Sequence, residues 1–124
     1  MTRVLASLAA TLPMFGCAAE PASQVSLPAA IAPGSNLFDP AVRVGPDIVA
    51  VYRRPQAGQP AAAARAIAEI EWLAAYLPTA PRMVGASPQG LNQLQLARNG
   101  ARAALGIPPS APAQTVIDGL AAAA

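Results

Sequence analysis

The sequence predicts an all-α protein in which a small three-helix module, residues 59–121, follows a signal peptide and a Pro/Ala-rich extended segment. Three observations lead to this prediction. Apolar residues recur at helical spacing through the alanine-rich second half of the chain. Half of the fourteen prolines lie between residues 21 and 60, where they disfavour long helices. The chain also begins with a short, mostly apolar run that is typical of an export signal.

Residues 1–16 are predicted to be that signal peptide. Arg3 supplies its positive charge, and the apolar run, residues 4–15, is too short to cross a bilayer core of about 30 Å as a helix. The end of the leader, MFGC at residues 14–17, resembles the lipobox of bacterial lipoprotein signals. In that motif a small residue precedes a cysteine that is lipidated and becomes the new N-terminus. The glycine and Cys17 match the motif, whereas the phenylalanine departs from the small residue usually found there.

This resemblance covers only the leader, and it implies a membrane contact through a lipid on Cys17. The alternative is ordinary signal cleavage near Ala19, which would discard Cys17. Both interpretations predict an exported protein of the cell envelope, either membrane-anchored or periplasmic. Both also leave a mature chain without a free thiol, because Cys17 is the single cysteine.

The composition excludes several function classes. The eight arginines and six acids give a net charge of +2, which falls to +1 once the leader is removed, so a nucleic-acid partner is not expected. The chain contains no histidine, and Glu69 and Glu71 are about 200° apart around one helix, so they cannot converge on one substrate. We therefore predict a non-enzymatic protein without a cofactor or a metal.

Two segments precede the predicted helices. Residues 17–36 are rich in Pro, Ala and Ser, and they are predicted to be a disordered tether that would reach roughly 60 Å when extended. Residues 37–58 carry more apolar side chains but also three prolines, so they are predicted to form an extended apolar arm. Whether this arm docks on the helices is left open.

The first predicted helix, residues 59–77, lies between Pro60 and Pro78. One face carries an aliphatic stripe: Ala63, Ala66, Ile67, Ile70, Leu73, Ala74 and Leu77. Trp72 and Tyr76 fall on the opposite face. Two hypotheses explain them. The arm could cover them with Val49, Val51 and Tyr52, or they could form an interface with a protein partner or a second copy.

Two further helices complete the predicted module. The second begins with Ser87 as N-cap and Pro88 in its first turn, and it ends at Gly106. Its predicted stripe is Leu91, Leu94, Ala97, Ala101, Ala104 and Leu105. The third is predicted to be capped by Ser110, with Pro112 in its first turn. Its predicted stripe is Ala113, Val116, Ile117 and Leu120.

Two arginines of the second helix could either form an internal ion pair or bind an external anion. Arg98 lies within the apolar stripe and Arg102 follows one turn later, so the two charges repel unless an anion lies between them. One hypothesis is an internal ion pair of Arg98 with Glu71 or Glu69. The other is a binding site for an external anion.

The sequence thus predicts a non-enzymatic, exported, lipid-anchored envelope protein whose helical module contacts another protein or itself. It looks like small bacterial envelope lipoproteins, a loose class that the leader alone suggests. The alternative is a binding module for an anionic envelope ligand, a lipid headgroup or a cell-wall fragment. Arg98 and Arg102 would bind that ligand, with Arg53 and Arg54 as further candidates.

Overall fold

The structure, a computed structural model, describes residues 24–32, 39–54, 57–81 and 85–124. These residues contain no strand, which confirms the all-α prediction. They form four α-helices: α1 (Pro40–Arg53), α2 (Pro60–Tyr76), α3 (Pro88–Ala104) and α4 (Ala113–Ala122). A 3-10 turn, Leu77–Thr79, extends α2. The predicted signal peptide and Cys17 lie outside the described residues.

Helix α2 is the central element, because each of the other three helices packs against it. It begins at Pro60, as predicted, since the missing amide of proline costs nothing in the first turn. Its second half is buried on every side. The buried residues are Ala66, Ala68, Glu69, Ile70, Glu71, Trp72, Leu73 and Ala74. Burial therefore extends beyond the predicted aliphatic stripe to the opposite face, which carries Trp72.

Helix α1 corrects the prediction of an extended arm over residues 37–58. Asp39 caps the helix by accepting a hydrogen bond from the Ala41 amide at 3.0 Å, and Pro40 occupies the first turn. Pro46 lies inside the helix but on its exposed side, where water can hydrate the carbonyl group that lacks an amide partner. Val44 and Ile48, one turn apart, pack against the core. Burial of these two side chains favours the helix despite the proline.

Residues 24–32, here called the N-terminal segment, correct part of the predicted disordered tether. The amides of Ile31 and Ala32 donate to the Pro28 carbonyl at 2.9 and 3.1 Å, which forms a turn, and both residues are buried. Val25 and Leu27 pack against the core. The segment is ordered because it buries apolar side chains on the helices. The rest of the tether, residues 17–23 and 33–36, lies outside the described residues.

The ends of α3 agree with the prediction, whereas the start of α4 differs. Ser87 Oγ accepts a hydrogen bond from the Gly90 amide at 3.4 Å. Gly106 has a φ of 67°, and its amide donates to Ala103 while the Ile107 amide donates to Arg102, the pattern of a Schellman motif. Pro112, rather than Ser110, is the N-cap residue of α4.

The core lies between α1, α2 and α4. Its central cluster is Val44, Trp72, Leu73 and Ile117. Val116 and Ile117 of the predicted α4 stripe are buried. In contrast, Ala97, Ala104 and Leu105 of the predicted α3 stripe are exposed, and Arg102 is the buried residue of that helix. Helix α3 therefore contributes Leu94, partly buried, to the core, and its one fully buried residue is the polar Arg102. Among the described residues, no helix combines the length and hydropathy needed to cross a membrane.

Candidate functional site

The best-defined polar site is the Glu71 cluster, which consists of Glu71 of α2 with Arg98 and Arg102 of α3. The side chain of Glu71 is 2% exposed. Arg98 binds its Oε1 through Nε at 2.8 Å and Nη2 at 2.7 Å. Arg102 binds both oxygens, with Nε to Oε2 at 2.9 Å and Nη2 to Oε1. The structure thus contains the predicted ion pair of Arg98 with Glu71 and adds Arg102 to it.

Arg102 also connects the cluster to the link between α3 and α4. Its Nη1 donates to the carbonyl oxygens of Pro108 at 3.2 Å and Pro109 at 2.9 Å. Gln95 supplies a further polar contact of α3, donating to the Ala74 carbonyl at 2.7 Å. In the described part of the chain, every buried side-chain nitrogen and oxygen has a hydrogen-bond partner. The cluster is therefore a satisfied network that holds α3 against α2.

The Glu71 carboxylate lies between two guanidinium groups, so one negative charge is shared by two positive charges. Burial raises the pKa of Glu71, but the hydrogen bonds and charges of Arg102 and Arg98 outweigh it, so the pKa lies below its ordinary value of 4.5. The Glu71 carboxylate is the anion between the two guanidinium groups. The geometry therefore gives no support to the hypothesis that Arg98 and Arg102 bind an external anion.

Glu69, two residues earlier on α2, is in a different environment. Its side chain is also 2% exposed, but its ion-pair partner is Arg65, whose Nε lies 3.2 Å from Oε1. Burial raises the pKa of Glu69, and the hydrogen bond and charge of Arg65 offset this only in part. The nearby charge of Asp47 raises this pKa further, whereas that of Arg43 lowers it. Arg65 also donates to the Ile31 carbonyl at 2.5 Å, so this contact joins the N-terminal segment to α2.

Trp72 is covered by the protein's own chain. It is 3% exposed, its Nε1 donates to the Val25 carbonyl at 3.3 Å, and its ring stacks on Tyr76 at a centroid distance of 4.6 Å. The cover comes from the N-terminal segment and Val44. Of the three residues that the arm hypothesis named, Val49 and Tyr52 are exposed and Val51 is partly buried. Trp72 is therefore a core residue rather than an interface residue, and Tyr76 is partly buried beside it.

A groove between α1 and α2 was not predicted from the sequence, because it exists only if α1 is a helix. This α1–α2 groove has a volume of about 540 Å³. Its lining residues are Ala50, Val51, Tyr52, Arg54, Gln59, Ala62, Ala63, Ala66 and Ile67. The lining is predominantly apolar, and Arg54 is its one charged member among the described residues.

The described residues contain no group of three or more His, Cys, Asp or Glu side chains that could hold a metal ion. Glu69 faces Arg65 and the N-terminal segment, whereas Glu71 faces α3, so the two carboxylates do not form a pair. Comparison with protein-family models, curated proteins and solved structures finds no match to this chain.

Proposed function

We propose that the protein is a non-enzymatic component of the cell envelope that is exported and anchored by a lipid on Cys17. The observation that carries this proposal is the MFGC sequence at the end of the leader, where the chain has its single cysteine. The folded module is consistent with a non-enzymatic role. Its buried acids, Glu69 and Glu71, form internal ion pairs instead of lining the groove between α1 and α2.

The docked N-terminal segment adds a geometric consequence to this proposal. Seven residue steps separate Cys17 from Gln24, the first residue described in that segment. At no more than about 3.6 Å per step, they span roughly 25 Å at most. A lipid on Cys17 would therefore hold the helices close to the bilayer surface. The span from Cys17 to Gln24 is less than half of the roughly 60 Å expected for an extended tether of twenty residues.

In this proposal the module also contacts another protein, and exposed apolar side chains of α1 supply the surface. Val42 and Val49 are two turns apart on α1, and both are exposed, as is Tyr52. Site-specific photo-crosslinkers at Val42 and, as the matched control, at Asp118 of α4 test this surface in cells. A discrete adduct from position 42 alone would support the contact, and equal labelling from both positions would contradict it.

The anchor is tested by expressing the full chain and measuring its intact mass and its partition between membrane and soluble fractions. We expect a diacylated or triacylated N-terminal Cys17 in the membrane fraction. The Cys17→Ser chain should lose the acyl mass and leave that fraction. Phe15→Ala, which improves the match to the lipobox, is the matched control and should keep both.

Two results would contradict the proposal in distinguishable ways. A mature N-terminus near Ala19 would show ordinary signal cleavage, which keeps export but removes the anchor. An intact Met1 in a cytoplasmic chain would contradict export itself. Either result leaves the description of the helical module unchanged.

A further inference from the structure

The α1–α2 groove has the dimensions and lining of a ligand site. Its volume of about 540 Å³ lies within the range of about 300 to 1,000 Å³ typical of small-molecule sites. Such sites are mostly apolar and contain a few polar groups that orient the ligand. Here the alanines of α2 line the groove with small apolar side chains, and Val51 and Ile67 add larger ones.

The charged side chain that lines the groove is positive, among the residues that the structure describes. Arg54 lines it, and Arg53, at the end of α1, lies next to Arg54 in sequence. Neither arginine pairs with an acidic side chain within the part of the chain that the structure describes, and no described acid lines the groove. This differs from Arg98 and Arg102, which both form ion pairs with the Glu71 carboxylate. A ligand with an apolar body and a negative end is complementary to this surface.

We propose that the α1–α2 groove binds a single-chain amphiphile with an anionic head, of the fatty-acid class. The acyl chain lies along Ala62, Ala66 and Ile67, and the carboxylate pairs with Arg54. The small alanine side chains leave the space that the acyl chain fills. This inference goes beyond the proposed function and does not depend on the lipid anchor, because the site contains no part of the leader. It shares Tyr52 with the surface proposed for the protein contact.

The test titrates dodecanoate, below its micellar concentration, into the full-length Cys17→Ser chain, which carries no acyl group of its own. Calorimetry should show saturable binding at one site. Dodecyltrimethylammonium, which has the same tail and a cationic head, should bind more weakly. Arg54→Gln should weaken dodecanoate binding by roughly three- to fivefold, the effect expected for one exposed ion pair. Arg53→Gln, the matched control outside the groove lining, should change it by less.

A second pair of variants tests the position of the acyl chain without disturbing the core. Ala63 and Ala61 are both exposed near the start of α2, but only Ala63 lines the groove. Ala63→Trp should abolish saturable binding, and Ala61→Trp should preserve it. Circular dichroism should show the same helix content in both variants, so that loss of binding is not loss of the fold.

Several results would overturn the proposal. They are the absence of saturable dodecanoate binding to the folded chain, equal affinity for the anionic and cationic amphiphiles, and binding that Ala63→Trp leaves intact. Sedimentation tests the competing occupant, a second copy of this chain. A concentration-dependent dimer that Ala63→Trp dissociates would show that the groove is a dimer interface and not a ligand site.

Discussion

Glu69 and Glu71 are two residues apart on α2 and equally buried, yet their pKa values move in opposite directions. Glu71 accepts hydrogen bonds from two arginines of α3. Glu69 accepts one from Arg65, whose own side chain is 39% exposed. Burial penalises both carboxylates. The number and burial of the guanidinium partners decide whether the penalty is overcome.

The comparison shows two ways of attaching a segment to a central helix. Helix α3 is attached to α2 through the ion pairs of Glu71 in addition to the contacts of Leu94 and Gln95, so its attachment depends in part on the charge of Glu71. The N-terminal segment is attached mainly through apolar side chains and through hydrogen bonds to its backbone carbonyl groups. Because the pKa of Glu69 is raised, the ionised form of this residue lowers the stability of the fold. Removing or protonating the two acids should therefore have opposite consequences for stability.

The largest expected effect is that of Glu71→Ala. It leaves the buried Arg102 without its carboxylate, so we expect the free energy of unfolding to fall by about 3–5 kcal/mol, as measured by urea denaturation near neutral pH. Asp118→Ala, which removes an exposed acid of α4, is the control and should cost no more than about 0.5 kcal/mol. A similar, small loss in both variants would mean that the Glu71 cluster contributes no more than a surface contact.

A double-mutant cycle between Glu71→Ala and Arg98→Ala should give the next largest effect. The side chain of Arg98 is 21% exposed, so we expect a coupling energy of about 1–3 kcal/mol. The control cycle, Glu69→Ala with Arg98→Ala, should give a coupling close to zero, because Glu69 pairs with Arg65. Near-zero coupling in the first cycle, together with a rise in melting temperature on adding phosphate, would restore the external-anion hypothesis.

The variants Glu69→Gln and Glu71→Gln show how each carboxylate contributes to the pH dependence of the free energy of unfolding. Because the pKa of folded Glu69 is above 4.5, its ionised form costs stability, and this cost disappears as the pH falls to 4.5. Wild type should therefore gain stability relative to Glu69→Gln as the pH falls from the folded pKa of Glu69 to 4.5. The pKa of folded Glu71 is below 4.5, so its contribution is complete above 4.5 and is lost as the pH falls through the folded value.

These profiles are obtained from the free energy of unfolding at a series of pH values. Near neutral pH, Glu69→Gln should be neutral or stabilising by up to about 1 kcal/mol, whereas Glu71→Gln should be destabilising. Parallel profiles for the two variants would show that the environments of the two carboxylates are equivalent, contrary to the structure.

The smallest expected effect is that of Arg65→Ala at about pH 4, below the raised pKa of Glu69, where the substitution leaves no buried charge unpaired. The Arg65 side chain is 39% exposed, so loss of its contacts with Glu69 and the Ile31 carbonyl should then cost about 0.5 kcal/mol. Near neutral pH the cost should be larger, because the buried Glu69 carboxylate loses its ion-pair partner. Trp72 emission should stay at its buried wavelength, because Val25 still covers the indole ring. Arg65→Met keeps an apolar stem and separates lost packing from lost charge. A red-shifted Trp72 in Arg65→Ala would mean that this arginine alone holds the N-terminal segment in place.

The elements that the sequence predicts well have local signals at both ends. Helix α2 begins at Pro60, and α3 lies between its N-cap Ser87 and Gly106, positions where the residue type itself favours a helix start or a helix end. Helical angles made Glu71 or Glu69 a possible partner of Arg98, and the structure contains the pair with Glu71. These features need little knowledge of the tertiary structure.

The features that the sequence did not predict depend on contacts between distant residues. Helix α1 was missed because Pro40 and Pro46 were interpreted as breakers, although Asp39 followed by Pro40 is a helix-start signal. The order of the N-terminal segment could not be predicted locally, because Val25 and Ile31 have a binding surface only after the helices assemble. The α1–α2 groove depends on α1 and was missed with it.

Ser26 and Gln114 exchange two hydrogen bonds, with the Ser26 amide donating to Oε1 at 2.8 Å and Nε2 donating to the Ser26 carbonyl at 3.2 Å. The two residues are 88 positions apart, so closing this loop in a flexible chain costs roughly 4 kcal/mol of entropy. Two exposed hydrogen bonds cannot offset that cost alone. The contact should therefore form late in folding, after α2 has gathered its neighbouring helices, and it should be among the first to open.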